Sequence, residues 1–102
     1  MIIIELSYKG TVEQSTKLAD KHMAGHLTFL KKYYDQGVFM ASGPKKPREG
    51  GVIIATVDVD KATAAELIKD DPLYQHDICD YRLIEFASVM CCDALSAYTE
   101  QR

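Results

Sequence analysis

The order of strand and helix patterns is the feature of this sequence that most constrains its fold. Four short stretches rich in β-branched and aromatic residues have strand patterns, and two longer stretches are typical of helices. The strands are predicted at residues 2–8, 38–43, 52–59 and 77–86, and the helices at about residues 12–36 and 61–70. Gly25 could divide the first helix, Gly37 is a natural stop after it, and Pro72 prevents the second helix from continuing.

The order β-α-β-β-α-β predicts an α+β fold of the ferredoxin-like type, with two helices on one face of a four-stranded antiparallel sheet. The third strand is apolar on both faces. One face carries Ile53, Ala55, Val57 and Val59, and the other carries Val52, Ile54 and Thr56. Because a sheet with one face in water should alternate more cleanly, the second face needs a cover. We predict a homodimer packed sheet on sheet; the alternative is that the C-terminal tail folds over this face.

Length and charge exclude several classes of function. The 102 residues, 47% of them hydrophobic, suffice for one core, and we predict one domain over residues 1–86. A tail of residues 87–102 follows, in which the sequence DALSAY favours a short helix. The net charge of −3 and the scattered Lys and Arg residues provide no basic face for nucleic acid. No segment approaches the roughly 20 apolar residues that span a bilayer, so we predict a cytoplasmic protein without membrane or nucleic-acid partners.

No motif for a cofactor or a metal is present. The three cysteines form no C-x-x-C pair, and neither a G-x-G-x-x-G motif nor a P-loop occurs. His22 and His26 have the i, i+4 spacing of metal ligands, but a zinc site needs at least a third protein ligand, for which there is no signature. We predict no cofactor and no metal, and we interpret His22 as an exposed helix residue.

The first helix places a histidine at the edge of its apolar face. The predicted core stripe consists of Met23, Leu27, Leu30 and Tyr34, which lie within about 60° of one another at helical spacing. His26 lies at the border of this stripe, with Tyr33 on the same flank. A polar group at such a border can be half buried and still reach a cavity. Taken alone, His26 is more typical of a boundary histidine that is hydrogen-bonded within the protein.

The second helix ends in the sequence Asp70-Asp71-Pro72, which breaks local rules. Acidic residues at a helix C-terminus face the negative end of the helix dipole. Pro72 also disfavours the α conformation at Asp71 and fixes an extended backbone there, so the Asp71 carboxylate should leave the helix in a defined direction. Such violations are common at functional sites, although Asp before Pro also begins turns for purely structural reasons.

Three motifs together resemble the YciI-like, or YCII-related, family over about residues 1–86. They are GHLTFLKKYYDQGVFMASGP, in which a His opens the amphipathic part of the helix and a strand ends in Ser-Gly-Pro; GGVIIATVDVDKATAAELIKDDPLY, in which Asp-Pro closes the second helix; and LIEF in the closing strand. The resemblance implies a ferredoxin-like fold that pairs as a dimeric α/β barrel. It also implies an active site centred on His26 and Asp71, with Ser42, Gly43 and Pro44 in the pocket wall.

The chemistry that this pair permits is general acid–base catalysis. A carboxylate that accepts a hydrogen bond from one imidazole nitrogen fixes the tautomer and leaves the other nitrogen to transfer protons near neutral pH. His26 would transfer the proton, Asp71 would orient it, and Ser42 with the Gly43 backbone would hold a developing enolate or phenolate oxygen.

We also predict Tyr33 as a substrate-binding residue. Together with the resemblance, these residues indicate a small-molecule enzyme, a lyase or isomerase, that performs isomerisation or elimination on a small oxygenated substrate such as an aromatic or lactone ring. The alternative is a non-catalytic dimeric module that binds a small ligand or a protein. In that case both nitrogens of His26 would be satisfied inside the protein, whereas an enzyme requires one of them to face a cavity.

Overall fold

A computed structural model describes residues 1–99 and shows the predicted order of elements. The strands are β1 (Ile2–Tyr8), β2 (Phe39–Pro44), β3 (Gly50–Ala55) and β4 (Cys79–Glu85). The α-helices are α1 (Val12–Lys21), α2 (Met23–Asp35), α3 (Lys61–Leu67) and α4 (Pro72–Gln75). Two 3₁₀ helices span Ile68–Asp70 and Asp93–Tyr98, the latter where the sequence predicts a short helix. No helix within residues 1–99 is both long and apolar enough to cross a bilayer.

The four strands form one antiparallel sheet in the order β2-β3-β1-β4. In the central strand β1, Ile4 lies opposite Ile53 of β3 on one side and opposite Leu83 of β4 on the other. Paired residues share a face of the sheet, so this row packs toward the helices. The predicted ferredoxin-like α+β fold, which is the protomer fold of a dimeric α/β barrel, is therefore confirmed.

The third strand and the first helix differ from their predicted bounds. The third strand begins at Gly50 and ends at Ala55, instead of spanning residues 52–59, so the predicted loop of residues 44–51 is shorter. Gly50 enters the sheet with a φ of +142°, and a Cβ there would lie 1.9 Å from the Leu6 carbonyl oxygen. Only glycine fits this approach. The first helix also breaks at His22 rather than at Gly25, because His22 leaves the helical conformation with φ −105° and ψ 12°.

The core lies between the sheet and the helices. Its members are all buried and include Ile2, Ile4, Leu6, Phe29, Leu30, Tyr33, Phe39 and Ile53. The predicted stripe on the first helix is therefore wrong except for Leu30, since Leu27 is 55% exposed and Tyr34 is 37% exposed. The physical reason is a cavity: Met23, Leu27 and Leu30 line it. An apolar side chain that faces a cavity has the same helical spacing as one that faces the core.

The second helix ends in three steps. Asp60 caps its start, as predicted, by accepting a hydrogen bond from the Thr63 amide at 2.7 Å. The α-helix ends at Leu67, earlier than the predicted residue 70, and tightens into the 3₁₀ turn Ile68–Asp70. Asp71 is extended, with φ −78° and ψ 124°, as the following proline predicts. Pro72 then occupies the first position of α4, where its missing N–H costs nothing.

Candidate functional site

A cavity of about 370 Å³ lies between the α1–α2 pair and the sheet. Most of its wall is apolar, including Leu6, Met23, Leu27, Leu30, Val52 and Ile53. The polar side chains in its wall are Tyr8, Asp20, His26, Ser42 and Arg48. A volume near the lower end of the usual range for ligand pockets, with few polar groups in an apolar wall, suits a small organic ligand.

His26 connects this cavity to the end of the second helix. Its Nδ1 lies 2.8 Å from Oδ1 of Asp71, so the predicted contact between these two residues is present. Its Nε2 has no hydrogen-bond partner in residues 1–99. No polar side-chain atom in that part of the chain is both fully buried and unpartnered, so Nε2 keeps some contact with solvent although the side chain is only 13% exposed. One ring nitrogen is thus held and the other is unpartnered, on a ring that lines the cavity.

Asp71 is fully buried, and three donors in residues 1–99 bind its carboxylate. Besides His26, its Oδ1 accepts a hydrogen bond from the Leu73 amide at 3.0 Å, and its Oδ2 accepts one from the Tyr81 hydroxyl at 2.7 Å. Burial, and next the charge of Asp71, raises the pKa of Tyr81 far above its ordinary value, so the phenol stays a hydrogen-bond donor. These donors compensate the burial of the carboxylate.

Sequence reasoning missed Tyr81. The alternation of the predicted fourth strand contained a signal, because Tyr81 shares the face of Leu83 and Cys79 that the sheet turns toward the helices. A tyrosine on a buried strand face needs a partner for its hydroxyl. The structure supplies Asp71 as that partner.

Gly25 allows the His26–Asp71 pair to form. A Cβ on Gly25 would lie 2.9 Å from Cγ of Pro72, closer than two carbon atoms can pack. Gly25 precedes His26 and Pro72 follows Asp71, so this close approach of the Gly25 backbone to the Pro72 ring lies directly beside the hydrogen bond of the pair. A glycine that resembles a helix break in the sequence is therefore a contact between α2 and α4.

The predicted wall residues reach the cavity, whereas Tyr33 does not. Ser42, Gly43 and Pro44, the last three residues of β2, line the cavity, and the Ser42 Oγ lies 2.6 Å from the Tyr34 hydroxyl. Tyr33 is 8% exposed, and its hydroxyl donates a hydrogen bond to Asp70 at 2.7 Å. Its ring packs among the aromatic rings of the core, so it lies in the packed interior. The structure does not bring Tyr33 to the predicted site.

Arg48 is a second cavity residue that sequence reasoning missed. Its Nη2 donates to Asp20 of α1 at 2.8 Å, and its Nε donates to the Tyr8 hydroxyl at 3.0 Å. The hydrogen bond to Asp20 raises the pKa of Arg48, so the guanidinium stays charged. In the sequence, Arg48 is one of several charges in the segment 44–51, and nothing local distinguishes it from its lysine neighbours.

His22 lies beside the site without entering the cavity. Its ring stacks on that of His76, with centroids 3.9 Å apart and planes 18° apart. It is thus half-buried, not exposed as predicted, because the bend between α1 and α2 directs it toward the end of α4. Within residues 1–99, no group of three or more His, Cys, Asp or Glu side chains is arranged to hold a metal ion.

Cys79 is a buried thiol in the cavity wall. Burial, and next the charge of Asp71, raises the pKa of Cys79 to about 11. Because the thiolate is the nucleophilic form, this cysteine is inert at neutral pH and serves as an apolar wall residue.

Comparison with known proteins agrees with the fold and identifies the family. A solved structure titled 5-chloro-2-hydroxyhydroquinone dehydrochlorinase, from Burkholderia phenoliruptrix AC1100 in complex with 2,5-dihydroxybenzoquinone, is similar with a TM-score of 0.64. It shares 13% sequence identity, and the match covers 84% of this chain and 93% of that chain. A comparison with curated proteins found no match. The model of the YCII-related domain matches residues 1–87, and the chain therefore belongs to the YCII-related domain family.

Proposed function

We propose that this protein is a small-molecule enzyme in which His26 transfers a proton during an isomerisation or elimination reaction of a small oxygenated ring. The observation that carries the proposal is the arrangement of His26: Nδ1 is bound to buried Asp71, and Nε2 is unpartnered beside a cavity of about 370 Å³. In a non-catalytic module, both nitrogens should be satisfied inside the protein. The free Nε2 favours the enzyme.

The hydrogen-bond pattern determines the role of each group. With Nδ1 as the donor to Asp71, the neutral ring presents the lone pair of Nε2, which is the form that accepts a proton from a substrate carbon or hydroxyl. Asp71 then stabilises the imidazolium that results. Since both of its oxygens already accept hydrogen bonds from other residues, Asp71 serves as a fixed acceptor that positions the ring.

The cavity wall supports the substrate class. When the Tyr34 hydroxyl donates to Ser42 Oγ, the Ser42 hydroxyl can donate in turn to an oxygen that gains negative charge as the proton leaves. The similar solved protein is named a dehydrochlorinase of a chlorinated hydroxyhydroquinone, and its structure contains a dihydroxybenzoquinone. Elimination from a hydroxylated six-membered ring is the reaction type that this similarity suggests for the present chain.

The experiment is a turnover screen against hydroxylated and halogenated single-ring compounds and lactones. Removal of a general base lowers turnover by about 10²- to 10⁴-fold, so we expect a loss of this size in His26→Ala. The matched control is His22→Ala, which removes a histidine one helical turn away that does not line the cavity. Wild-type turnover by His26→Ala would remove His26 from the mechanism and refute the proposal.

We further propose that the chain pairs with a second copy through the open face of the sheet. Ile3 lies opposite Ile54 on one side and Ile84 on the other, so three isoleucines form a row on the face away from the helices. Ile84 is 38% exposed, and the other two are half-buried. Sedimentation velocity should show a dimer that Ile84→Glu dissociates and Leu18→Glu, on the exposed side of α1, leaves intact. A monomeric wild type would refute the pairing.

A further inference from the structure

The Arg48 guanidinium is partly fixed by the protein and partly unused. Nε donates to the Tyr8 hydroxyl, and Nη2 donates one of its two hydrogens to Asp20. The other hydrogen of Nη2 and both hydrogens of Nη1 have no partner in residues 1–99. The two existing bonds therefore hold the plane of the guanidinium and leave donors of both Nη atoms available.

Arg48 belongs to the wall of the cavity that holds His26. It is the only Lys or Arg among the described residues that line the cavity, and most of that wall is apolar. Two N–H donors of a guanidinium match the two oxygens of a carboxylate, and such bidentate pairs are stronger than single neutral hydrogen bonds. A phenolate offers only one oxygen and cannot form such a pair.

Asp20 both assists and opposes the binding of an anion. Its carboxylate anchors Nη2 at 2.8 Å, which keeps the guanidinium in one orientation before a ligand arrives. The same negative charge repels an incoming anion. Because Arg48 is 37% exposed on its side chain, water screens this repulsion. The orientation of the guanidinium and the repulsion by Asp20 can therefore be separated by an isosteric substitution of Asp20.

We propose that Arg48 binds the carboxylate of a single-ring substrate through its unpartnered Nη donors, while the ring lies in the apolar part of the cavity. This proposal rests on the proposed function only in assuming that the substrate reacts at His26 in the same cavity. The substrate class becomes that of small cyclic carboxylic acids, with the acid group at the β2–β3 loop and the reacting carbon toward α2.

The test compares benzoate with benzamide, which has nearly the same shape and no charge, in NMR titrations of the wild-type protein. We expect benzoate to bind at least about tenfold more tightly. Arg48→Gln should abolish this preference and leave benzamide binding unchanged. Lys46→Gln removes a charge from the same loop outside the cavity and should retain the preference. Equal binding of the two compounds by wild type, no binding of benzoate, or a preference that survives in Arg48→Gln would each overturn the proposal.

One further variant separates the possible causes of failure. Asp20→Asn removes the negative charge and keeps a side-chain oxygen that can accept from Nη2 of Arg48, so it should retain or increase the preference for benzoate. If Asp20→Asn loses the preference as Arg48→Gln does, the cation does not select the anion, and the proposal is wrong. The titrations measure binding alone, whereas the turnover screen measures proton transfer by His26. The binding test therefore fails or succeeds independently of turnover, which tests the acid–base function.

Discussion

Removing a single oxygen atom, in Tyr81→Phe, tests how the buried carboxylate is held. The Tyr81 hydroxyl is the donor to Oδ2 of Asp71, at 2.7 Å, whereas Oδ1 keeps its two donors in the variant. Asp71 is 0% exposed, so water does not readily replace the lost donor. The aromatic ring and its edge-on contact with Tyr74 remain, since their centroids lie 5.6 Å apart and the hydroxyl is not needed for packing.

The expected cost follows from this geometry. A hydrogen bond to a charged group contributes about 1.5–3 kcal/mol, and the loss of a buried one leaves its partner unsatisfied. We therefore expect the free energy of unfolding to fall by about 2 kcal/mol. For a domain of roughly 100 residues, this corresponds to a decrease in Tm of about 10 °C.

The assay is urea denaturation of both proteins at one protein concentration, with Tyr74→Phe as the matched control. Tyr74 is 42% exposed, so the loss of its hydroxyl should change the free energy of unfolding by no more than about 0.5 kcal/mol. If Tyr81→Phe is as stable as Tyr74→Phe, the third donor to Asp71 contributes nothing, and the description of a carboxylate held by three donors is wrong.

Two other predictions concern the surroundings of the pair. Gly25→Ala should lower the free energy of unfolding by about 1–2 kcal/mol in chemical denaturation despite the better helix propensity of Ala, because its Cβ would press on Pro72. The control Gly43→Ala, whose Cβ would have nothing within 4 Å, should leave the free energy of unfolding unchanged. Equal effects of the two substitutions would contradict the contact. Burial, and next the stacked histidine, lowers the pKa of His22 in the folded protein, so the unfolded chain binds the proton more readily. Stability should therefore fall as the pH drops below about 6.5. In urea denaturation, the midpoint of His22→Gln should decrease less over this pH range than that of the wild type. An unchanged pH profile in the variant would argue against the stack as the cause.

The sequence predicts the fold and the extended backbone of Asp71 because both depend on local patterns. The period of each element and the order of elements predict the sheet and its helices, and Pro72 predicts the extended backbone of Asp71. The proposed division at residue 86 and the cytoplasmic location stay predictions. The pairing of His26 with Asp71 required a resemblance, since 45 residues separate them and no local rule joins them.

The remaining features depend on packing that a single sequence does not encode locally. Leu27 has the spacing of a core residue and faces a cavity, while Tyr33 has the spacing of a border residue and is buried. Tyr81 and Arg48 act through partners that are distant along the chain, and each looks ordinary among its sequence neighbours. Gly25 shows the same limit, because the ring that it accommodates belongs to another helix.

The way in which Asp71 is anchored makes the two halves of the pair separable. The Leu73 amide and the Tyr81 hydroxyl hold the carboxylate without help from the imidazole. Shortening residue 26 to glycine would therefore leave an empty niche that keeps its acceptor in place and opens onto the cavity. Free imidazole from solution has the size and the N–H group to occupy that niche. We therefore expect the shortened variant to bind imidazole in place of the missing side chain, and to bind other azoles of similar size at the same position.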